Sequence, residues 1–134
     1  MNDLRTFTPT QQKKLGNYIY ALKDPRDKKI FYVGQGTGDR AFSHFAEAEN
    51  DLKILNKCET EFNKLSSKII RILDIWKNEL DVEVVILAHG LDNFTISNSS
   101  SNSNTSISDL LESIAFESLR LSQNGELLNT NTPP

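Results

Sequence analysis

The sequence predicts an α/β protein of the α+β type: a small, mainly antiparallel three-stranded sheet flanked by helices in a single layered domain. Three observations predict it. Two short aromatic runs, Tyr18-Ile19-Tyr20 and Phe31-Tyr32-Val33-Gly34, stand about a dozen residues apart around a proline turn. A continuous apolar run over 82–88 supplies a third strand. Between and after these runs, apolar residues recur at steps of three and four, the period of a helix.

Residues 1–15 are polar and without a clear period, and read as a partly ordered lead-in to a domain spanning 16–131. Residues 17–23 form the first strand. Asp24-Pro25-Arg26-Asp27 is a turn, because proline presets one backbone angle and aspartates bond nearby amides. Residues 30–34 return as the second strand. Asp39 is expected to cap a helix running from about Arg40. On that helix Ala41, Phe45, Ala48 and Leu52 share one face, and Arg40, His44, Glu47 and Asp51 another. A longer helix is expected from Leu55, Cys58, Phe62, Leu65, Ile69, Leu73 and Trp76. The run 82–88 is apolar on both alternating faces except at Glu83, which predicts a central strand. The Ser/Asn-rich stretch at about 95–107 cannot pack a core and reads as a flexible insertion. A last helix runs from about Ile107 to Leu121, and Asn124-Gly125 turns the chain after it.

At 134 residues the chain can bury a core without staples. Its one cysteine, Cys58, excludes an internal disulfide and a cysteine-based zinc site, and its helical spacing marks it as a small buried hydrophobe. No apolar run reaches membrane length, and the first residues lack the apolar stretch of a signal peptide. An intracellular, cytoplasmic protein with no membrane partner is therefore expected. The net charge is −3, but it is unevenly spread. Residues 1–78 hold 14 basic against 10 acidic side chains, a net of +4; residues 79–134 hold one against eight, a net of −7. A basic half carrying the glycine-spaced loop suits an anionic partner, as it also suits a plain solvated surface.

That loop is Gly34-Gln35-Gly36-Thr37-Gly38-Asp39-Arg40. Three alternating glycines allow backbone amides to approach an anion, so Gly34, Gln35, Gly36 and Arg40 are candidate substrate-binding residues. A dinucleotide fingerprint would need its third glycine where Asp39 stands, and no Lys-Ser or Lys-Thr pair closes a phosphate loop. Arg40 offers a planar fork for a phosphate, and His44, one turn on, a group that exchanges protons near neutral pH. Strand alternation lets Tyr20 and Tyr32 point the same way, although strand tyrosines also serve as ordinary packing. In the last helix, the stripe centred on Ile107, Leu111, Ile114 and Leu121 puts Glu117 at its edge. A partly buried carboxylate there needs a partner, either a metal ion or Arg40. Glu112 is expected to project toward solvent. One carboxylate plus waters suits Mg²⁺ better than Zn²⁺ or Ca²⁺.

Tyr18-Ile19-Tyr20 and Tyr32-Val33-Gly34 resemble the two strand motifs that name the GIY-YIG nuclease superfamily, with Tyr18 in place of the first glycine. Asp24-Pro25, Phe31-Tyr32-Val33-Gly34, Gly36, Gly38, Arg40 and His44 together are most similar to the branch containing the LEM-domain and ankyrin-repeat nucleases and many small bacterial proteins. Ala115-Phe116-Glu117 resembles the helix with the metal-binding glutamate, and Leu127-Leu128-Asn129 the closing motif with its asparagine. The resemblance implies an endonuclease that hydrolyses nucleic-acid phosphodiesters, DNA in preference to RNA, with one divalent metal, Mg²⁺ or Mn²⁺. It implies that Tyr20 or Tyr32 orients or deprotonates water, Arg40 holds the scissile phosphate and His44 assists proton transfer. It implies further that Glu117 holds the metal and Asn129 helps fix the arrangement. Many relatives have lysine where this chain has Gln35. That departure keeps open an alternative, a catalytically weak or inactive nucleic-acid-binding or scaffold domain.

Overall fold

The computed structural model describes residues 6–57, 65–91, 95–97 and 104–122. In chain order these form α1 (Pro9–Leu15), β1 (Tyr18–Lys23), β2 (Ile30–Gly36), a 3-10 turn (Arg40–Phe42), α2 (Ser43–Lys57), α3 (Ser67–Lys77), β3 (Glu83–Ala88), β4 (Thr95–Ser97), β5 (Asn104–Ser106) and α4 (Ile107–Ser122). The architecture is the α+β one the sequence predicts: an antiparallel three-stranded sheet flanked by helices, with β4 and β5 as a separate small ladder. No helix among the described residues is long and apolar enough to cross a membrane.

The strand order is β2-β1-β3, so the central strand is β1 and not β3 as its apolar run predicts. The reason is visible in burial. Tyr18 through Leu22 are all buried, because both faces of β1 are covered. β3 is half-buried along its length, with Leu87 exposed. Its aliphatic residues lie at an edge, where period alone cannot distinguish them from a centre.

The two sheet faces carry different cores. Tyr18, Tyr20 and Leu22 join Ala41, Phe45 and Ala48 near the start of α2 and Ile69, Ile72 and Ile75 of α3. Each buried Leu, Ile or Phe among them contributes about 1.5–3 kcal/mol. On the other face lie Ile19, Ala21 and Val33, under α4. Strand alternation thus divides one short hairpin between two helical layers.

Local chemistry explains the ends. Thr8 and Gln11 form a capping box and Pro9 opens α1, so residues 9–15 of the stretch expected as a partly ordered lead-in are helical. The seam from Leu55 to Trp76 is not one helix: Leu55 belongs to α2, and α3 begins at Ser67 after Ser66 caps it through the Ile69 amide. Cys58 and Phe62 lie outside the described residues. At the β1–β2 turn, Asp24 is buried and accepts hydrogen bonds from the Arg26 backbone, the Arg26 guanidinium and Arg71 Nε of α3. Arg26 also reaches Asp74 at 2.7 Å, which ties the hairpin turn to α3.

Candidate active site

The hydroxyl of Tyr20 and Nε2 of His44 are directly hydrogen-bonded, and both side chains are buried. Gly34 makes this possible. A Cβ at that position would lie 2.6 Å from the Tyr20 hydroxyl, so the glycine's empty side leaves room for the phenol. The Tyr32 ring stands edge-on to the imidazole, 4.7 Å between centroids, and 6.2 Å from the Tyr20 ring. Tyr20 and Tyr32 therefore come together as the strand pattern predicts, and His44 of α2 joins them. Burial raises the pKa of both tyrosines, so each keeps its proton; for Tyr32 the Glu112 charge adds to the effect, with Arg40 opposing it. Burial first, and then the charges of Lys68 and Arg40, push His44 down to about 3. His44 is thus neutral at physiological pH, not half-titrated as its ordinary value would make it.

Arg40 begins the 3-10 turn, and its stem lies over Gly36. A Cβ on Gly36 would come within 2.5 Å of Arg40 Cβ and Cγ. The glycines at 34 and 36 thus make room for two of the protein's own side chains, which accounts for them without any anion. Tyr18 holds the following backbone from within the core. Its hydroxyl donates to the Gly38 carbonyl at 2.6 Å and accepts from the Ala41 amide at 3.0 Å. Asp39 makes no helix cap; it accepts instead from Thr6 Oγ1 at 2.6 Å and the Phe7 amide at 2.7 Å. Those two bonds hold its carboxyl below the usual range.

The carboxylate arrangement corrects the sequence expectation. Glu117 is 49% exposed and paired with Arg120 at 2.6 Å on its own helix, neither half-buried nor bonded to Arg40. Glu112, expected to face solvent, is half-buried against β2, where its carboxylate accepts from the Gln35 amide at 3.0 Å. The same amide nitrogen donates to Asp109 at 2.7 Å. Gln35 is therefore turned onto α4. Burial raises the Glu112 pKa, opposed by the Gln35 bond and aided by Asp109. The physical reason is a helix rotation. Ser108 and Phe116 are the buried positions of α4, while Ile114 and Leu121 are 52% and 69% exposed. The alternative stripe Ser108, Glu112, Phe116, at steps of four, was present in the sequence but is weaker by hydrophobicity.

Lys68 escaped the sequence reading altogether. Its side chain is only 15% exposed, with Nζ 5.0 Å over the Tyr32 ring and 3.6 Å from Glu47. The available signal was a lysine in the first turn of a helix, where the macrodipole disfavours positive charge. Asn129 lies outside the described residues. Among the described residues, no three or more His, Cys, Asp or Glu side chains gather as a metal-holding group.

A hairpin with Tyr20 against Gly34 and Tyr32 nearby, followed by an arginine turn and a buried histidine, agrees with the GIY-YIG resemblance. A family model of the LEM-3-like GIY-YIG domain matches residues 27–132, and the chain belongs to that family, within a superfamily of nucleases. No curated protein and no solved structure gives a match.

Proposed function

We propose that the protein is a divalent-metal-dependent endonuclease acting on nucleic acid, with DNA as the substrate. The observation that carries this reading is the buried hydrogen bond between Tyr20 and neutral His44 beside Arg40, with an α4 carboxylate near enough to act on both tyrosines. In this reading Tyr20, fixed by its hydrogen bond to neutral His44, orients the attacking water, and His44 assists proton transfer as a hydrogen-bonding partner. A phenol held protonated by burial suits orientation better than it suits a standing base. Tyr32 also orients the water, and Arg40 holds the scissile phosphate through its planar fork. Asn129 fixes the arrangement by resemblance alone.

The residues present fit a hard cation. Glu112 is a half-buried carboxylate with Asp109 beside it, and an oxygen donor set completed by water suits Mg²⁺ or Mn²⁺. Glu112, with Asp109 as its neighbour, takes the place that the resemblance gave to Glu117. When bound, the metal would polarise the phosphate and stabilise the leaving oxygen.

The test compares Glu112→Gln with Glu117→Gln on labelled duplex and branched DNA, with Mg²⁺ and with chelator. Glu112→Gln should lower cleavage at least ~100-fold, the scale of a lost electrostatic group at a reacting centre. Glu117→Gln should cleave nearly as wild type and melt within about 1 kcal/mol of it, because an exposed ion pair is worth little. The reverse pattern would return the metal to Glu117. A second reading, a binding module without catalysis, is favoured by Gln35, whose amide engages two of the three α4 carboxylates, Asp109 and Glu112. Chelator-insensitive binding with no cleavage by wild type would establish it.

A further inference from the structure

We propose that Lys68 is a second phosphate-binding cation of this cleft, gripping the nucleic-acid backbone from α3 alongside Arg40. The inference rests on the phosphodiester reading of the same site. Lysine on a helix normally runs its stem along the surface and keeps its ammonium in water. Lys68 is instead only 15% exposed, with its charge over the face of Tyr32. Its carboxylate partner, Glu47, is half-exposed and stands off at 3.6 Å, a tether that an incoming anion can replace.

Three further observations favour an anion at this position. Lys68 and Arg40 both press their charge on His44, so two cations converge on one neutral, buried imidazole. Lys68 is the second residue of α3, at the helix end where the backbone dipole is already positive. The carboxylates nearest the loop, Asp109 and Glu112, are engaged by Gln35. A phosphodiester has two anionic oxygens to share, and neighbouring phosphates follow along the strand. Arg40 on one and Lys68 on the same or the next would relieve the crowding of like charge and fix the strand's register over Tyr20. Sequence-independent grip of this kind is the role lysine performs as a point charge.

Binding of a fluorescein-labelled duplex oligonucleotide, followed by anisotropy across a salt series with chelator present, separates grip from cleavage. Lys68→Met should weaken binding about eightfold at 0.1 M salt and reduce the salt slope by ~0.9, the signature of one lost phosphate contact. Lys68→Arg should bind within about twofold of wild type, since the contact is retained. Arg40→Met serves as the site control. Lys28→Met serves as the charge-matched control at the exposed hairpin turn, and should leave the slope unchanged. Thermal melts check that Lys68→Met folds, and Lys68→Gln repeats the measurement with a polar side chain. If Arg40→Met weakens binding while both neutral Lys68 variants match Lys28→Met, the Lys68 assignment is overturned and the site reading stands. If wild type does not bind, or Arg40→Met changes nothing, the phosphodiester reading itself fails and takes the proposal with it.

Discussion

His44 and Glu112 are the residues whose chemistry is decided by burial. A histidine one turn after an arginine is legible in the sequence; its protonation state is not. Burial beside Lys68 and Arg40 lowers its pKa from 6.5 to about 3. The unfolded chain therefore binds a proton below pH 6.5 that the folded one refuses, and the stability tied to neutral His44 drains as pH falls toward 3. We expect an extra loss of about 1.4 kcal/mol per pH unit between pH 6.5 and 4.5. Denaturant unfolding of wild type and His44→Asn across that window measures it. Parallel pH dependences in the two proteins would mean that His44 is already protonated when folded. Glu112 was misread for a related reason. Hydrophobic periodicity locates the greasiest stripe, and α4 turns another face to β2 because Gln35, Asp109 and Glu112 bond there and Phe116 packs beneath.

The hairpin and its turn were the most readable elements. Aromatic alternation and Asp24-Pro25 mark β1, β2 and their connection; the register that sets Tyr20 opposite Gly34 is visible only in the fold. What no local signal disclosed was the use of Asp24. It is buried, and hydrogen bonds from Arg26, with Arg71 adding to them, hold its carboxyl well below the ordinary value of 3.8. The stability this lends is present above that value and lost as pH falls below it. Asp24→Asn should cost about 3–5 kcal/mol at neutral pH, the range for breaking a buried pair on one side, as two arginines lose their shared anion. Chemical denaturation reads this directly; a cost under about 1 kcal/mol would show that water satisfies both guanidinium groups. The capping box of α1 was also legible as Thr8-Pro9-Thr10-Gln11. Seven residues are too few to show a period, so the cap is the sole local sign of this helix. The Leu55–Trp76 seam shows the opposite hazard: regular spacing carried on across a break between two helices.

At the scale of the molecule, the site straddles the β2 edge of the sheet. In the proposed reading the tyrosine face supplies the groups that orient the water and the α4 face the carboxylates, while β1 spans both faces of the sheet. That dependence sets the limits of the folded unit more sharply than composition does. The matched family span begins at residue 27, yet the central strand is Tyr18–Lys23, so a chain starting at 27 lacks the strand that joins both layers. We expect the end of the polar lead-in to belong to the unit as well. Phe7 packs edge-on against Tyr18 at 5.9 Å and against Phe42 at 4.7 Å, and Thr6 and the Phe7 amide hold Asp39. Removing residues 1–15 therefore strips partners from both sides of the turn that carries Arg40. The loss of Phe7 alone is worth up to about 1.5–3 kcal/mol. For a chain of this size that is a drop of roughly 5–15 °C in melting temperature. Oligonucleotide affinity should fall with it, because Tyr18 would then steady the Gly38–Ala41 backbone unaided. A truncated chain that melts within ~2 °C of the full one and binds equally well would put the boundary back at residue 16, and would reduce the Asp39 clasp to a surface contact.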